Sequence, residues 1–512
     1  MGFFSFARLG VALLTLLAAR RVYWELTVGS QRRAFSTQHG CVPAHKKKTR
    51  LPFGLDMLLK DQKKFREYRV LEYIIEFFRD ENAHTIDLRY VGQHIFVTDD
   101  PENIKTVLAT DFGRWSIGVA RIKWMGSFLG TGIFTSEGPV WKHSRETLRP
   151  CFERSQVSDI SLLDKHTTRL IDSLSKDGST VDLQPLIQDL TMDITSDFLF
   201  GISTDSLDKS KDDKHTKEFI KAFEYIMVPF DVENLGLWTV VEQLLPNRKL
   251  KKCTKILQDF ADRIIDEEIA ARKSSPSKPS RYVFLHELLD TVPDRIRIRS
   301  ELLNIFLAGR DTTSALLSNV LWTLSRSPTI QSRLRREITS HIGDAVLPTF
   351  TQLKDMRYLK AIMNESQRLY PVVPSNTREA LVDTTLPRGG GPDEQSPVFV
   401  PKGASITYHI VAMHRRVDVY GEDADVFEPA RWMDGEHGSS PLRPGWGYLP
   451  FSGGPRVCIG QQFALTEAMF VVVRMLQTFP VLESRDSEPW TEKINITASN
   501  RNGCKVSLRM AE

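Results

Sequence analysis

The chain of 512 residues contains 41% hydrophobic and 26% charged residues, which provides enough apolar surface for a large folded core and excludes a disordered protein. Its 68 basic and 64 acidic side chains leave a net charge of only +4, too small and too dispersed to indicate a nucleic-acid-binding surface. The five cysteines lack the spacing of a disulfide framework or a zinc site, which favours a reducing compartment.

The N-terminal segment is apolar and is followed by clustered positive charge. Its uncharged stretch, residues 9–19, is shorter than the ~20 residues that cross a bilayer, but the paired arginines that follow should hold the next segment in the cytoplasm. We expect a membrane anchor over residues 1–29 rather than a cleaved signal peptide, with a buried terminal helix as the alternative. Residues 30–52 are basic and predict a hinge before a main domain over residues 53–512.

Three stretches follow the hinge. Residues 60–81 predict a helix, and residues 85–98 predict two short strands that turn near Gly92. The apolar stretch 114–132, which includes Phe128, has no clean period and predicts either a loop that covers a ligand or a core helix.

Trp141 and Arg145 are spaced i, i+4 and therefore project from one face of a predicted helix. An indole N–H beside a guanidinium suits an anionic carboxylate, although the same pair also occurs in ordinary surface packing. Further along, residues 217–238 alternate apolar and charged side chains, and residues 274–281 predict a surface connector.

A long central helix is predicted over residues 296–327, from a start near Asp294 to the proline that follows Ser327. Residues 307–313 within it read Leu-Ala-Gly-Arg-Asp-Thr-Thr. Glycine and threonine cost helix propensity, and a threonine hydroxyl can bond back to the carbonyl four residues earlier. Such a local cost marks either a functional site or a kinked core helix with satisfied hydroxyls.

Glu365 and Arg368 place opposite charges three residues apart on one predicted helix, a spacing that alone indicates only a weak surface ion pair. Residues 386–403 predict a strand hairpin, and residues 497–503 predict a turn between strands.

Cys458 lies between a glycine-rich turn and a helix predicted over residues 461–479. A helix N-terminus offers unpaired N–H groups and a positive dipole end, which lower the cost of an anionic sulfur. The sequence therefore predicts a thiolate metal ligand, and the alternative is a small buried hydrophobic side chain.

These segments together resemble the cytochrome P450 family. Residues 451–460 match its cysteine-loop signature F-x-x-G-x-R-x-C-x-G in full, and residues 308–313 resemble its A-G-x-D-T-T motif. Residues 365–368 resemble its E-x-x-R helix and residues 141–145 its W-x-x-x-R helix, in the family's order. The resemblance implies a mainly α fold with a smaller β-rich lobe and a haem b cofactor.

The resemblance also implies roles for individual residues. Cys458 would be the axial ligand of the haem iron, Ala308 and Gly309 would leave room beside the iron, Asp311 would relay protons, and Thr312 would hydrogen-bond the reacting oxygen. Further haem contacts, including those to the propionates, are expected from Trp141, Arg145, Arg378, Phe451 and Arg456. Arg431 would complete a structural triad with Glu365 and Arg368. Substrate contacts are expected from Phe128, Val372, Val373 and Ser499.

The implied activity is a monooxygenase that inserts one atom of O2 into a C–H bond of a lipophilic substrate. The strings at residues 308–313 and 454–467 look like the fungal branch that hydroxylates alkanes and fatty acids near their chain ends. Expected partners are an NADPH-cytochrome reductase, with cytochrome b5 as a second electron donor, and the endoplasmic reticulum membrane. The alternatives are a tailoring oxidase of a polyketide or terpenoid, an isomerase or dehydratase that uses no O2, and a non-catalytic haem protein.

Overall fold

The computed structural model describes residues 2–90, 92–210, 214–227, 247–274, 282–436 and 440–510, with side chains from residue 11 onward except those of residues 154 and 155. The described chain is mostly helical. Its helices are α1 Gly2–Trp24, α2 Ser30–Gln38, α3 Leu55–Arg66, α4 Val70–Glu81, α5 Pro101–Lys105, α6 Val119–Leu129, α7 Gly138–Leu148, α8 Arg154–Val157, α9 Ser161–Ser173, α10 Leu183–Phe200, α11 Lys214–Met227, α12 Arg248–Ser274, α13 Phe284–Thr291, α14 Arg295–Arg326, α15 Pro328–His341, α16 Phe350–Asp355, α17 Arg357–Leu369, α18 Ile410–Met413, α19 Val417–Tyr420 and α20 Gln461–Thr478.

The strands form small sheets beside the helices. They are β1 His45–Lys46, β2 Thr85–Tyr90, β3 Gln93–Thr98, β4 Trp115–Ser116, β5 Thr180–Asp182, β6 Ser375–Ala380, β7 Thr384–Gly390, β8 Ser396–Val400, β9 Ser405–His409, β10 Val481–Ser484, β11 Glu492–Ile494, β12 Ala498–Asn500 and β13 Lys505–Arg509. Six of them form a sheet of order β1-β2-β3-β9-β6-β4. A second sheet has the order β10-β13-β5, with β13 in the centre, and two smaller sheets pair β7 with β8 and β11 with β12. This arrangement agrees with the predicted helical body and smaller β-rich lobe.

The central helix α14 organises the helical body. Its start is capped by Asp294, whose carboxylate accepts a hydrogen bond from the N–H of Ile296 at 2.9 Å, and it ends at Arg326, two residues before Pro328. Nearly all of its side chains from residue 300 onward are buried, because α10, α12, α17 and α20 pack around it. The predicted long helix is therefore confirmed.

The ion pair of Glu365 and Arg368 lies in the core, not on the surface. Arg368 donates to both carboxylate oxygens of Glu365 at 2.7 and 2.9 Å, and both side chains are fully buried. Arg431 donates to the same carboxylate at 3.1 Å and also pairs with Asp423 at 2.9 Å, while the indole of Trp432 donates to it at 2.9 Å. The three charged groups expected as a triad are thus in contact.

The N-terminal helix α1 projects its apolar side chains outward. Val11, Leu13, Leu14, Leu16 and Leu17 are all at least half exposed, so the alternative of a buried terminal helix is wrong. Among the residues that the structure describes, none of the helices combines the length and hydropathy needed to cross a membrane.

The stretch predicted as a hinge, residues 30–52, carries regular structure. It begins as α2 and then joins the β-rich lobe, where β1 pairs in parallel with β2. The N–H of Val42 also donates to the carbonyl of Pro397 at 2.8 Å. These hydrogen bonds fix the stretch to the body of the protein.

Several predicted elements differ in their details. Residues 60–81 form two helices, α3 and α4, because the chain turns at Tyr68, which has a positive φ of 55°. Most of the ambiguous stretch 114–132 is the helix α6, preceded by the short strand β4. Residues 497–503 hold the strand β12 before the turn that was predicted there. Residues 228–238 and 275–281 lie outside the described residues.

Candidate active site

The loop before α20 holds Cys458 by backbone contacts. The N–H of Cys458 donates to the carbonyl of Phe451 at 2.9 Å, and the N–H of Val457 donates to the carbonyl of Gly454 at 3.0 Å. Gly454 has a φ of 65°, and a Cβ at this position would lie 1.9 Å from the carbonyl oxygen of Leu108. Glycine is therefore required here for the loop to pack against the neighbouring backbone.

Cys458 is exposed in the structure. Burial raises the pKa of the thiol, while the N–H of Gly460 and the charge of Arg145 lower it. The side chain of Cys458 is thus accessible and at the same time surrounded by enough protein for burial to act on its thiol. Of the five cysteines, all of which are free, this is the exposed one.

One face of α14 is also open within its otherwise buried length. Ala308, Gly309, Asp311 and Thr312 are each partly exposed, whereas residues 313–325 are buried. The Thr312 hydroxyl donates to the Ala308 carbonyl at 2.6 Å, as the spacing predicts. This face of the helix therefore borders open space inside the fold.

Gly309 has a packing role that the sequence does not reveal. A Cβ at this position would lie 2.8 Å from Oγ1 and 2.9 Å from Cγ2 of Thr195, on α10. A larger residue would therefore separate the two helices. The close approach of α10 and α14 explains the glycine independently of any ligand.

Asp311 lies in a network of charges. Burial raises its pKa, and the guanidinium of Arg310, 3.3 Å from its Oδ1, acts in the opposite direction. Arg310 also donates to Glu224 on α11 at 3.0 Å. The charge of Lys493 lowers the pKa of Asp311, and the charge of Glu224 raises it. Asp311 is thus a carboxyl group whose proton affinity depends on its ion-pair partners.

Trp141, Arg145 and Arg456 lie together, as the sequence predicts. The Arg456 guanidinium is 4.4 Å from the centre of the Trp141 ring and donates to the Ser136 carbonyl at 3.0 Å. Arg145 donates to the carbonyl of Val457, next to Cys458, at 2.9 Å. The cysteine loop and α7 are therefore joined directly.

Arg121 and Arg378 add two further cations to this cluster. Both donate to Oδ1 of Asn376 at 3.1 Å, and Arg378 is 4% exposed. Burial, together with the charge of Arg378, lowers the pKa of Arg121 to about 10. Burial likewise lowers the pKa of Arg456 to about 10, with contributions from the other arginines. Arg121 carries no separate signal in the sequence, because it lies in the apolar stretch 114–132, which has no clean period.

These residues fit a haem. The Nε atom of Arg121 is buried and has no hydrogen-bond partner among the described residues. Four arginines lie close enough to interact, and the charges of three of them lower the pKa of the fourth, Arg456. The carboxylate of Glu137 raises that pKa. Two propionates would supply the missing negative charge and the missing acceptor. The exposed thiol of Cys458 lies beside this cluster, as an axial ligand requires.

The residues expected to contact substrate are only partly brought together. The carbonyl of Val372 accepts a hydrogen bond from the N–H of Ala498 at 2.9 Å, so Val372 lies beside the strand that carries Ser499. Val373 and Ser499 are partly exposed. Phe128 is 1% exposed and packs on Trp124, which places it in the core.

The chain is similar to known proteins over almost its whole length. The cytochrome P450 family model matches residues 61–505. This chain belongs to the cytochrome P450 family.

Three similar proteins come from fungi. The cytochrome P450 monooxygenase himC of Aspergillus japonicus is 39% identical, over 99% of this chain and 91% of that protein. Cytochrome P450 52A12 of Debaryomyces hansenii is 39% identical over 89% of this chain and 90% of that protein, and cytochrome P450 52A4 of Candida maltosa is 43% identical over 83% and 81%. P450 enzymes use haem with a cysteine thiolate ligand, bind O2 and hydrophobic substrates, and receive electrons from a redox partner.

Proposed function

We propose that this P450 holds haem through Cys458 and hydroxylates a lipid-like substrate. The observation that carries the proposal is the exposed thiol of Cys458 beside the cluster of Arg121, Arg145, Arg378 and Arg456. Trp141 packs against this cluster, and Phe451 holds the loop through its carbonyl. Glu365, Arg368 and Arg431 serve structure, because their polar atoms are engaged with one another inside the core.

Residues on α14 manage protons in this proposal. Bound haem supplies the reductive activation of O2 and the transfer of one oxygen atom to a C–H bond. Asp311 holds a proton that it receives from solvent and passes it toward Thr312. Arg310 links Asp311 to Glu224, a residue at the surface, because its guanidinium contacts both carboxylates. The hydroxyl of Thr312 donates its own proton to the Ala308 carbonyl, so its oxygen is the atom that can accept a hydrogen bond at the open face of the helix.

The favoured substrates are fatty acids or alkanes, oxidised at or near the chain end. The support is the resemblance of residues 308–313 and 454–467 to the fungal branch with that activity, together with the similarity to P450 52A12 and 52A4. An isomerase or dehydratase that uses no O2 would have no need for a proton relay at Asp311 and Thr312.

A tailoring oxidase of a polyketide or terpenoid is the second candidate. It is supported by Ser452, which replaces a glycine common in the alkane-hydroxylating branch. Ser452 has a φ of 61°, a conformation that favours glycine, and its buried hydroxyl has no partner among the described residues. The loop thus departs from the branch at a position where glycine would be unstrained.

The proposed location is the endoplasmic reticulum membrane, with the main domain, residues 53–512, in the cytoplasm. The exposed apolar side chains of α1 support membrane contact over residues 1–29, and membrane contact would favour substrates that partition into lipid. An NADPH-cytochrome reductase is the proposed electron donor, with cytochrome b5 as a second one.

Turnover of a substrate panel tests this function. The full-length holoenzyme with an NADPH reductase would be given fatty acids and alkanes of several lengths and a set of polyketide and terpenoid lipids. We expect mass-spectrometric products one oxygen heavier, hydroxylated near the chain end. Oxidation confined to the polyketides or terpenoids would favour the second candidate, and rearranged products without added oxygen would contradict both.

A further inference from the structure

The N-terminus of α4 is capped by a residue from the far end of the chain. The first N–H groups of a helix have no partner within the helix, and a side chain at the N-cap position commonly binds them. In α4 that position is Arg69, which makes no such hydrogen bond. The carboxylate of Glu492 instead accepts hydrogen bonds from the N–H groups of Val70 and Leu71, the latter at 2.8 Å. We call this contact the Glu492 clamp.

The Glu492 clamp is a buried polar contact. Glu492 is 5% exposed, and burial raises the pKa of its carboxyl to about 7, while the two N–H groups of α4 act in the opposite direction and favour the ionised form. An apolar side chain would avoid the cost of a buried carboxyl, but it would leave both N–H groups without a partner. The start of α4 therefore depends on an acceptor that β11 supplies.

The hairpin of β11 and β12, which carries Glu492, has two faces with different surroundings. Lys493 on β11 lies opposite Ser499 on β12. The next pair, Ile494 and Ala498, packs with side chains of α4 in one apolar cluster. Opposite residues share a face and successive residues alternate between faces. Glu492 therefore lies on the face toward α4, and Lys493 and Ser499 lie on the other.

This second face of the hairpin lies near the open face of α14. The charge of Lys493 lowers the pKa of Asp311, and β12 packs against α14. The indole of Trp490, which precedes β11, donates to Oδ1 of Asn319 on α14 at 2.9 Å. Ser499, opposite Lys493, is partly exposed. The hairpin is thus held between α4 and α14, with contacts to both.

We propose that Glu492 is a positioning residue for the substrate and acts through the β11–β12 hairpin. The inference rests on the proposed function, because it concerns which carbon of the substrate is oxidised. The Glu492 clamp holds the hairpin on α4, and the hairpin fixes the distance of Ser499 from the open face of α14. A substrate chain between them is held at a set depth, and a displacement on the order of 1 Å changes which carbon is in reach.

Hydrogen–deuterium exchange of the full-length holoenzyme tests the Glu492 clamp without turnover. Glu492→Ala removes both acceptor atoms, whereas Glu492→Gln has the same size but keeps one acceptor and places an NH2 group against the other N–H. At about pH 8, above the pKa of Glu492, we expect residues 70–73 and 492–500 to exchange faster in both variants, on the order of tenfold in Glu492→Ala. Unchanged exchange in both variants would overturn the clamp.

The ratio of positional isomers among the products tests the positioning role. With an NADPH reductase and a lipid that the wild type oxidises, the isomers would be separated by mass spectrometry at the same pH. We expect Glu492→Ala to lower the ratio of the main isomer to its neighbours roughly threefold, with Glu492→Gln between the two. A loss of stability alone would lower the yield of all isomers equally.

Glu337 provides a matched control for a carboxylate at a helix start. It accepts hydrogen bonds from the N–H groups of Tyr358 and Leu359 at 2.8 and 2.9 Å, in the first turn of α17. Glu337→Ala should lower stability and leave the isomer ratio unchanged. An unchanged ratio in Glu492→Ala, or an equal change in Glu337→Ala, would overturn the positioning role. Absence of oxidised products from the wild type would instead contradict the proposed function, and the exchange experiment would still test the clamp.

Discussion

Thr312 and Thr313 are neighbours on α14 but have different surroundings. Thr312 is on the partly exposed face and donates to Ala308, whereas Thr313 is 2% exposed in the core. We expect Thr312→Ala to bind substrate normally but to form several-fold less product per NADPH consumed, because the hydroxyl through which protons from Asp311 would reach the open face is lost. Product yield and NADPH consumption, measured together, check this.

Thr313→Ala is the control for that substitution. It removes the same atoms from the same helix, but from a side chain that points into the core, so product yield per NADPH should be unchanged while stability falls slightly. A loss of coupling in Thr313→Ala equal to that in Thr312→Ala would contradict a specific role for Thr312.

The charge network around Asp311 predicts opposite pH effects for its two partners. Arg310 lowers the pKa of Asp311 and Glu224 raises it. Arg310→Gln should therefore raise that pKa further, so that the carboxyl keeps its proton to a higher pH and the alkaline limb of the kcat profile moves to higher pH. Glu224→Gln should move the same limb downward. Asp311→Asn should remove the dependence, and shifts of both variants in one direction would show that the limb belongs to another group.

At the level of whole elements, α17 is held to the loop around Arg431 by a buried ion pair. Arg368→Ala leaves the carboxylate of Glu365 buried with fewer partners, and we expect a loss of ~3–5 kcal/mol in the free energy of unfolding, together with weaker haem retention. Arg69→Ala breaks a pair with the same i, i+3 spacing, Arg69–Glu72, that is about half exposed, and should leave stability unchanged. Urea unfolding of both variants checks this, and equal losses would refute the distinction.

The elements with strong local signals were predictable from the sequence. Asp294 and Pro328 bound α14 because a side-chain cap and a missing N–H act within one turn. The β2–β3 pair turns at Gly92, where φ is 79°, as the local pattern indicates. The ends of helices were harder to predict where contacts with distant parts of the chain determine them. The break between α3 and α4 is an example, because the sequence predicts one helix over residues 60–81.

Long-range contacts account for what the sequence did not predict. Arg121 contributes to the candidate site through Asn376, which is 255 residues away, and no local spacing reports that contact. The pairing of Arg310 with Glu224, 86 residues earlier, is of the same kind. The resemblance implies that Gly309 leaves space beside the haem, but its close contact with Thr195 depends on the approach of a distant helix.

Across the whole molecule, the candidate site is assembled from segments far apart in sequence. The cysteine loop contacts α7 through Arg145, and α20, which follows the loop, packs against α14, which carries Asp311 and Thr312. Arg378 enters from the β-rich lobe on β6. The proposed chemical centre of this arrangement is the thiolate of Cys458.

The carbon monoxide difference spectrum of the reduced full-length protein tests that centre most directly. The wild type and Cys253→Ala, which changes another cysteine, should both show the long-wavelength band typical of a haem with a thiolate ligand. Cys458→Ala and Cys458→His should lose the band while their circular dichroism shows a folded protein. A band that persists in Cys458→Ala, or that is absent from the haem-loaded wild type, would contradict the assignment of Cys458 as the axial ligand.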